Sequence, residues 1–153
     1  MRALELKIPP VVIVLLLAAA MFATARLAPA FGFHLPANRI IATGLAVSGV
    51  IVALLGVASF RRAGTTVNPL QPAAASQLVV SGIYRRTRNP MYLGMLLVLL
   101  GWGVGLANAL ALLPAAAFIP LMNRLQIGPE ERILAATFGP AFTAYQSAVR
   151  RWL

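Results

Sequence analysis

The sequence contains no cysteine and no aspartate, and its 153 residues include only three acidic side chains and one histidine. The missing cysteines exclude disulfides, thiolate metal sites and a cysteine nucleophile. His34 has no Cys, Asp or second His to complete a metal site, so we predict no metal and place it in a loop. Of the acids, Glu130 and Glu131 are neighbours that would point ~100° apart on a helix. They therefore cannot form a facing carboxylate pair.

Apolar residues are abundant instead. Hydrophobic residues make up 60% of the chain and charged residues 10%, against ~25% in an ordinary soluble domain. Mean hydropathy is +0.85, and a soluble domain of this size cannot bury so much apolar surface. Four uncharged apolar runs cover residues 8–25, 40–60, 91–107 and 109–122. They predict an all-α polytopic membrane protein with about four transmembrane helices, the last two forming a tight hairpin around Asn108.

The first run has a rival interpretation as a cleavable signal peptide. Its length and the Pro9–Pro10 pair at its start favour a retained span. No internal repeat or low-complexity linker divides the chain, so we predict one domain over residues 1–153.

The net charge of +10 would indicate nucleic-acid binding in a soluble protein. Here the cations flank the apolar runs, which is typical of membrane topology, so we predict the lipid bilayer and no nucleic acid as partner. With both termini in the cytoplasm, all thirteen Lys and Arg except Arg26 and Arg39 lie on the inner side. We expect a multi-pass protein of the plasma or inner membrane. Its chemistry would then lie in the inner loop 61–90 and the tail 123–153.

The inner loop has features of a binding site. Gly82 permits an unusual turn, and Asn89–Pro90 places an N-cap at the membrane surface, where free N–H groups can receive an anion. Arg88 adds a fixed cation, and Tyr84 and Tyr92 are suited to a pocket lip. The alternative is a juxtamembrane anchor in which Arg side chains bind lipid phosphates and Tyr rings lie at the interface.

The tail contains two helix signals. Gly128–Pro129 with the following acids predicts a helix start, and Gly139–Pro140 ends that helix and opens another. One apolar stripe on the second helix suits the membrane interface; it comprises Phe142, Tyr145, Val149 and Trp152.

Taken in order, these motifs resemble those of the isoprenylcysteine carboxyl methyltransferase family, and the same signature is similar to that of phospholipid methyltransferases. The matching residues are segments 81–84 and 88–94, then Glu130–Glu131 with Leu134, Phe138, Gly139, Phe142 and Tyr145. Segment 61–69 also resembles bacterial members, so the resemblance covers residues 60–152. Asn89 stands where the family often has His, and Phe142 where it often has Tyr.

The resemblance implies an integral-membrane methyltransferase that uses S-adenosylmethionine (SAM). The cofactor would lie in a cytoplasmic-side pocket closed by the C-terminal helices, and a lipophilic acceptor would arrive from the bilayer. We assign Arg88 and Arg124 as candidate catalytic residues, with Arg124 steering an anionic acceptor. The implied cofactor-binding residues are Ser76, Gln77, Leu78, Val79, Tyr84, Asn89, Pro90, Met91, Tyr92 and Glu130.

Two alternatives belong to other functional classes. A four-span multidrug-type exporter fits the size, but such exporters need an acid within a span and none of the four runs contains one. The other alternative is a non-catalytic membrane scaffold that retains the same fold, which the sequence leaves open beside the leading methyltransferase hypothesis.

Overall fold

The computed structural model describes residues 4–66, 68, 70 and 72–153. These residues form six α-helices and no β-strand, which confirms the all-α class. Arg2, and Val67 and Pro69 of segment 61–69, lie outside the described residues. The helices are α1 (Pro10–Leu27), α2 (Asn38–Arg62), α3 (Pro90–Leu106), α4 (Leu112–Met122), α5 (Gly128–Phe138) and α6 (Pro140–Ala148).

Proline and glycine set several of these boundaries, as predicted. Proline occupies one of the first two positions of α1, α3, α5 and α6, where its missing N–H would be unpaired in any case. Asn89 is the N-cap residue of α3. Gly82 and Gly139 both adopt positive φ, of 62° and 52°, at a turn before α3 and between α5 and α6.

Helices α1 and α2 are long and apolar enough to cross a membrane. Their large side chains face outward: Leu16 is 65% exposed and Ile40 is 75% exposed. Such exposure would be a liability in water and is typical of helices that face lipid. Helix α3 is also apolar but shorter, at 17 residues.

Small residues allow α2 and α3 to pack closely. A Cβ on Gly49 would lie 2.5 Å from the carbonyl oxygen of Gly94, and one on Gly101 would lie 2.7 Å from that of Ala42. Close approach through glycine is a common way for helices to associate in membranes. It brings the C-terminal end of α2 beside the start of α3.

The fourth apolar run begins its helix later than the prediction of residue 109. Residues 107–111 connect α3 to α4, which starts at Leu112. Buried Asn108 stabilises this connection, because its Nδ2 donates to the carbonyl of Ala28 (2.8 Å) and its Oδ1 accepts from the N–H of Ala111 (3.2 Å).

Two further expectations need correction. Helix α5 starts at Gly128 as predicted, but it continues α4 through a π-helical turn at Asn123–Ile127. Helix α6 ends at Ala148 and Val149 is extended, so the predicted stripe leaves the helix after Tyr145. Trp152 instead reaches the core through the extended tail, where its ring packs against Phe118 at a centroid distance of 6.4 Å.

Contacts between distant segments place the connections at two ends of the bundle. At one end, the N–H of Leu6 donates to the carbonyl of Leu125 (3.0 Å), and Tyr145 Oη donates to the carbonyl of Tyr84 (2.8 Å). At the other end, the N–H of Phe33 donates to the carbonyl of Ala107. The loop 63–89 and the C-terminal tail therefore meet at one end, as the charge pattern predicts.

Candidate functional site

A cavity of about 830 Å³, counting its open mouth, lies at the end where the loop and tail meet. Much of that space is open to solvent, and the interior that a water-sized molecule can occupy is about 100 Å³. The wall is mostly apolar and comes from the end of α2, the loop, the start of α3, α5 and α6. The lining residues are Phe60, Thr66, Asn68, Pro72, Ala75, Gln77, Leu78, Val79, Tyr84, Arg88, Asn89, Met91, Tyr92, Glu130, Glu131, Leu134, Phe142 and Tyr145.

Most of the residues singled out from the sequence line this cavity. The exceptions are Ser76, Pro90 and Arg124. The N–H of Ser76 donates to Thr65 Oγ1 (3.0 Å), and Pro90 is buried against α2, where a Cβ on Gly56 would lie 3.1 Å from its ring. Arg124 is exposed on the π-turn, so the structure does not bring it to the cavity.

Tyr92 and Glu130 form a hydrogen-bonded pair in the wall, with the Tyr92 hydroxyl donating to Glu130 Oε1. The two residues come from α3 and from the first turn of α5. Burial raises the pKa of Glu130 to about 7, although the Tyr92 hydrogen bond opposes this shift; the nearby charge of Glu131 adds to it. This carboxyl group therefore titrates near neutral pH and gains from a cationic ligand.

Glu131 turns to a different set of partners. Its Oε1 accepts from Arg88 Nη2 (2.8 Å) and Arg151 Nε (3.0 Å), and its Oε2 accepts from Arg151 Nη2 (2.5 Å). Burial acts to raise the pKa of Glu131, but the hydrogen bonds from Arg151 and Arg88 outweigh it and hold that pKa below its usual range. The same contact raises the pKa of Arg151. The two neighbouring acids thus have different environments, as their helical spacing predicts.

Arg88 links the loop to the C-terminal tail. Its Nη1 donates to the carbonyls of Gln146 (2.8 Å) and Val149 (2.6 Å), and neighbouring Asn89 donates through Nδ2 to the carbonyl of Arg151 (2.9 Å). These bonds fix the end of α6 against the cavity. The Arg88 Nε is buried and has no hydrogen-bond partner among the described residues. An unpaired buried donor is costly, and Arg88 is also one of the residues that line the cavity.

Aromatic side chains also line the cavity. Phe60 and Tyr84 pack edge to face, with ring centroids 5.3 Å apart, and Phe142 is buried beside them in the cavity lining. Burial raises the pKa of Tyr84 and of Tyr145, so both phenols stay neutral.

Several lining residues were not among the predicted site residues. Glu131, Leu134, Phe142 and Tyr145 belong to the motif that carries the resemblance, and that signal could have identified them. Phe60 was recognised only as the end of an apolar run. Thr66 and Asn68 lie in segment 61–69, which also carries the resemblance, whereas Pro72 and Ala75 belong to an irregular loop whose path has no periodic signal.

The site combines one carboxyl whose pKa is raised to about 7, one guanidinium, and several aromatic side chains that line the cavity. This combination suits a ligand that carries a cation, an anion and a planar ring. The described residues hold no group of three His, Asp or Glu side chains able to bind a metal ion.

Comparison with known proteins gives two findings. The model of a family described as phospholipid methyltransferase matches residues 37–141. An uncharacterized protein of Haemophilus influenzae is 46% identical over 63 residues, which are 41% of this chain and all of that protein. No solved structure matches the chain.

Proposed function

The chain belongs to the phospholipid methyltransferase family, and on that premise we propose that it is a SAM-dependent membrane methyltransferase. The acceptor would be lipophilic, either an isoprenylcysteine-like carboxylate or another lipid-borne carboxylate or amine. The observation that carries the proposal is the single cavity in which residues 77–92 meet residues 130–145.

The residues of the cavity fit SAM. Glu130 would hold the ammonium group, and the Arg88 guanidinium, which lines the same cavity, would attract the carboxylate. The Tyr84, Phe142 and Tyr92 rings would cover the adenine or face the sulfonium. When bound, SAM supplies an electrophilic methyl group.

The rest of the site would work by orientation and by exclusion of water. Tyr92 fixes the Glu130 carboxyl through its hydroxyl, and Leu134 and Phe142 contribute apolar wall. Charge disperses during methyl transfer from a sulfonium, so a dry and fixed site favours the reaction. A carboxylate acceptor would need no base.

We also propose that α3 and α4 complete four membrane crossings with both termini in the cytoplasm. Of the described cations, only Arg26 and Arg39 lie away from the cavity end, at the junction of α1 and α2. The positive-inside rule then puts the cavity at the cytoplasmic surface. An acceptor anchored in the inner leaflet can reach a site at that surface of the membrane.

The proposal is tested by methyl transfer from radiolabelled SAM to bacterial lipid extracts, using the full chain reconstituted in vesicles. We expect label in the lipid fraction, and strong loss of label with Glu130→Gln or Tyr92→Phe. Trp102→Phe is the aromatic control: Trp102 is 43% exposed on α3 and does not line the cavity, and its hydrogen bond is to the Ala18 carbonyl on α1. Wild-type protein that is helical by circular dichroism but transfers no label to any extract would support the scaffold alternative and contradict the enzyme.

A further inference from the structure

The π-turn at Asn123–Ile127 determines which way the acids on α5 point. In it, the N–H of Gly128 donates to the carbonyl of Asn123, five residues earlier, instead of to a residue four earlier. The wider turn takes up one extra residue. If the same residues formed an ordinary α-helix, everything after them would rotate by about 100°. Glu130 and Glu131 follow within one turn, so their direction depends on this feature.

Gln126 is the fourth of the five residues of the π-turn and is completely buried. Its Nε2 donates to the carbonyl of Ile8 (2.6 Å), while its Oε1 is buried with no partner among the described residues. Its neighbours Leu125 and Ile127 are apolar core residues. An amide that leaves an acceptor unpaired in such surroundings is unfavourable for stability, and its nitrogen binds the segment before α1.

The segment before α1 supplies the partners of the π-turn. We call residues 4–9 the N-terminal strap. The N–H of Leu6 donates to the carbonyl of Leu125 (3.0 Å), and Glu5 forms an ion pair with Arg132 on α5. Leu6 has φ of 56°, a conformation that leucine rarely adopts. The strap is therefore held in shape by its contacts with the turn.

Besides the strap, the π-turn requires a glycine at position 128. A Cβ at this position would lie 2.9 Å from the carbonyl oxygen of Asn123, the acceptor of the π-type hydrogen bond. A larger residue would push that carbonyl away and favour the narrower α-helical turn.

We propose that Gln126 is a positioning residue: by binding the N-terminal strap it holds the π-turn, and the π-turn aims Glu130 and Glu131 at the cavity. Glu130 then meets Tyr92, and Glu131 meets Arg88. The proposal rests on the proposed function only for the identity of the cavity's ligand.

The rotation of α5 can be measured without ligand, because the chain has no native cysteine. Single cysteines are placed at Leu134→Cys, which lines the cavity, and at Ala136→Cys, which is exposed. The maleimide labelling rate at position 136, divided by the rate at position 134, reports which face of α5 is turned to the cavity. Gln126→Met and Gly128→Ala should each lower the ratio several-fold. Gly44→Ala is the matched glycine control, since a Cβ there meets nothing within 4 Å.

The affinity of the same variants for SAM is then measured by calorimetric titration, and their melting temperatures are measured by thermal unfolding. We expect affinity about tenfold weaker in Gln126→Met, from the loss of one charge-assisted contact to the ligand, with Gly44→Ala unchanged. A ratio that stays at the wild-type value in both variants overturns the proposal, even if both melt earlier. If wild-type protein does not bind SAM, the proposed function fails, and the labelling ratio still decides the inference.

Discussion

Glu131→Gln should mainly lower stability, whereas Glu130→Gln should mainly weaken cofactor affinity. Glu131 accepts three hydrogen bonds from two arginines, and Arg88 has a side chain only 12% exposed. A glutamine keeps one acceptor oxygen, loses the charge and turns an amide toward a guanidinium. Hydrogen bonds to charged groups contribute about 1.5–3 kcal/mol each, and partial exposure of Arg151 reduces that value. We expect Glu131→Gln to lower the free energy of unfolding by about 2 kcal/mol.

Glu130→Gln should leave the fold intact. The glutamine oxygen still accepts from Tyr92, and the substitution removes a carboxylate that burial disfavours. Stability at pH 8 should therefore equal or exceed that of the wild type. The lost ion pair with the ammonium group should weaken SAM binding about tenfold or more.

The assay pairs unfolding in mixed detergent micelles with calorimetric titration of SAM on the same preparations. Each variant is the control for the other, since the two acids are adjacent and the substitution is identical. A Glu131→Gln protein as stable as the wild type, or a Glu130→Gln protein that binds SAM equally well, would refute the division of roles.

Further predictions concern the effect of pH, the packing of α2 against α3, and Arg124, which does not line the cavity. Because the pKa of Glu130 is raised from 4.5 to about 7, its contribution to stability is present below pH 4.5 and is lost as pH rises through 7. The melting temperature of Glu130→Gln should not show this dependence on pH. For the same reason SAM should bind more tightly at pH 8 than at pH 6 in calorimetry, and this difference should vanish in Glu130→Gln. Gly49→Ala should destabilise the fold by about 1–3 kcal/mol through collision with Gly94, whereas Gly44→Ala should not. Arg124→Gln should leave SAM affinity unchanged in the same titration, and a large loss would mean that this exposed residue reaches the site.

Local sequence signals predicted the features that depend on backbone chemistry. The apolar runs gave the positions of α1, α2 and α3 within a few residues, because long uncharged segments have few alternatives to a helix. Gly82, Asn89 and Gly139 lie at the turns and cap expected of them, since each satisfies a backbone requirement that neighbouring residues cannot.

Features that depend on long-range contacts could not be predicted. Arg151 binds Glu131 across 20 positions, and no periodicity links an extended tail to a helix. The π-turn has no local sequence signal, because it depends on contacts with the distant N-terminal strap. The prediction therefore treated α4 and α5 as separate helices. Arg124 was assigned from its position before the acids, but the π-turn leaves it exposed.

Photo-cross-linking of radiolabelled SAM to the full chain, followed by peptide mapping, tests most directly whether one cavity made of two distant segments holds one cofactor. We expect label in peptides from residues 77–92 and from residues 130–145, and loss of label from both when unlabelled SAM is added. Label confined to other parts of the chain, or label that unlabelled SAM does not displace, would contradict the account.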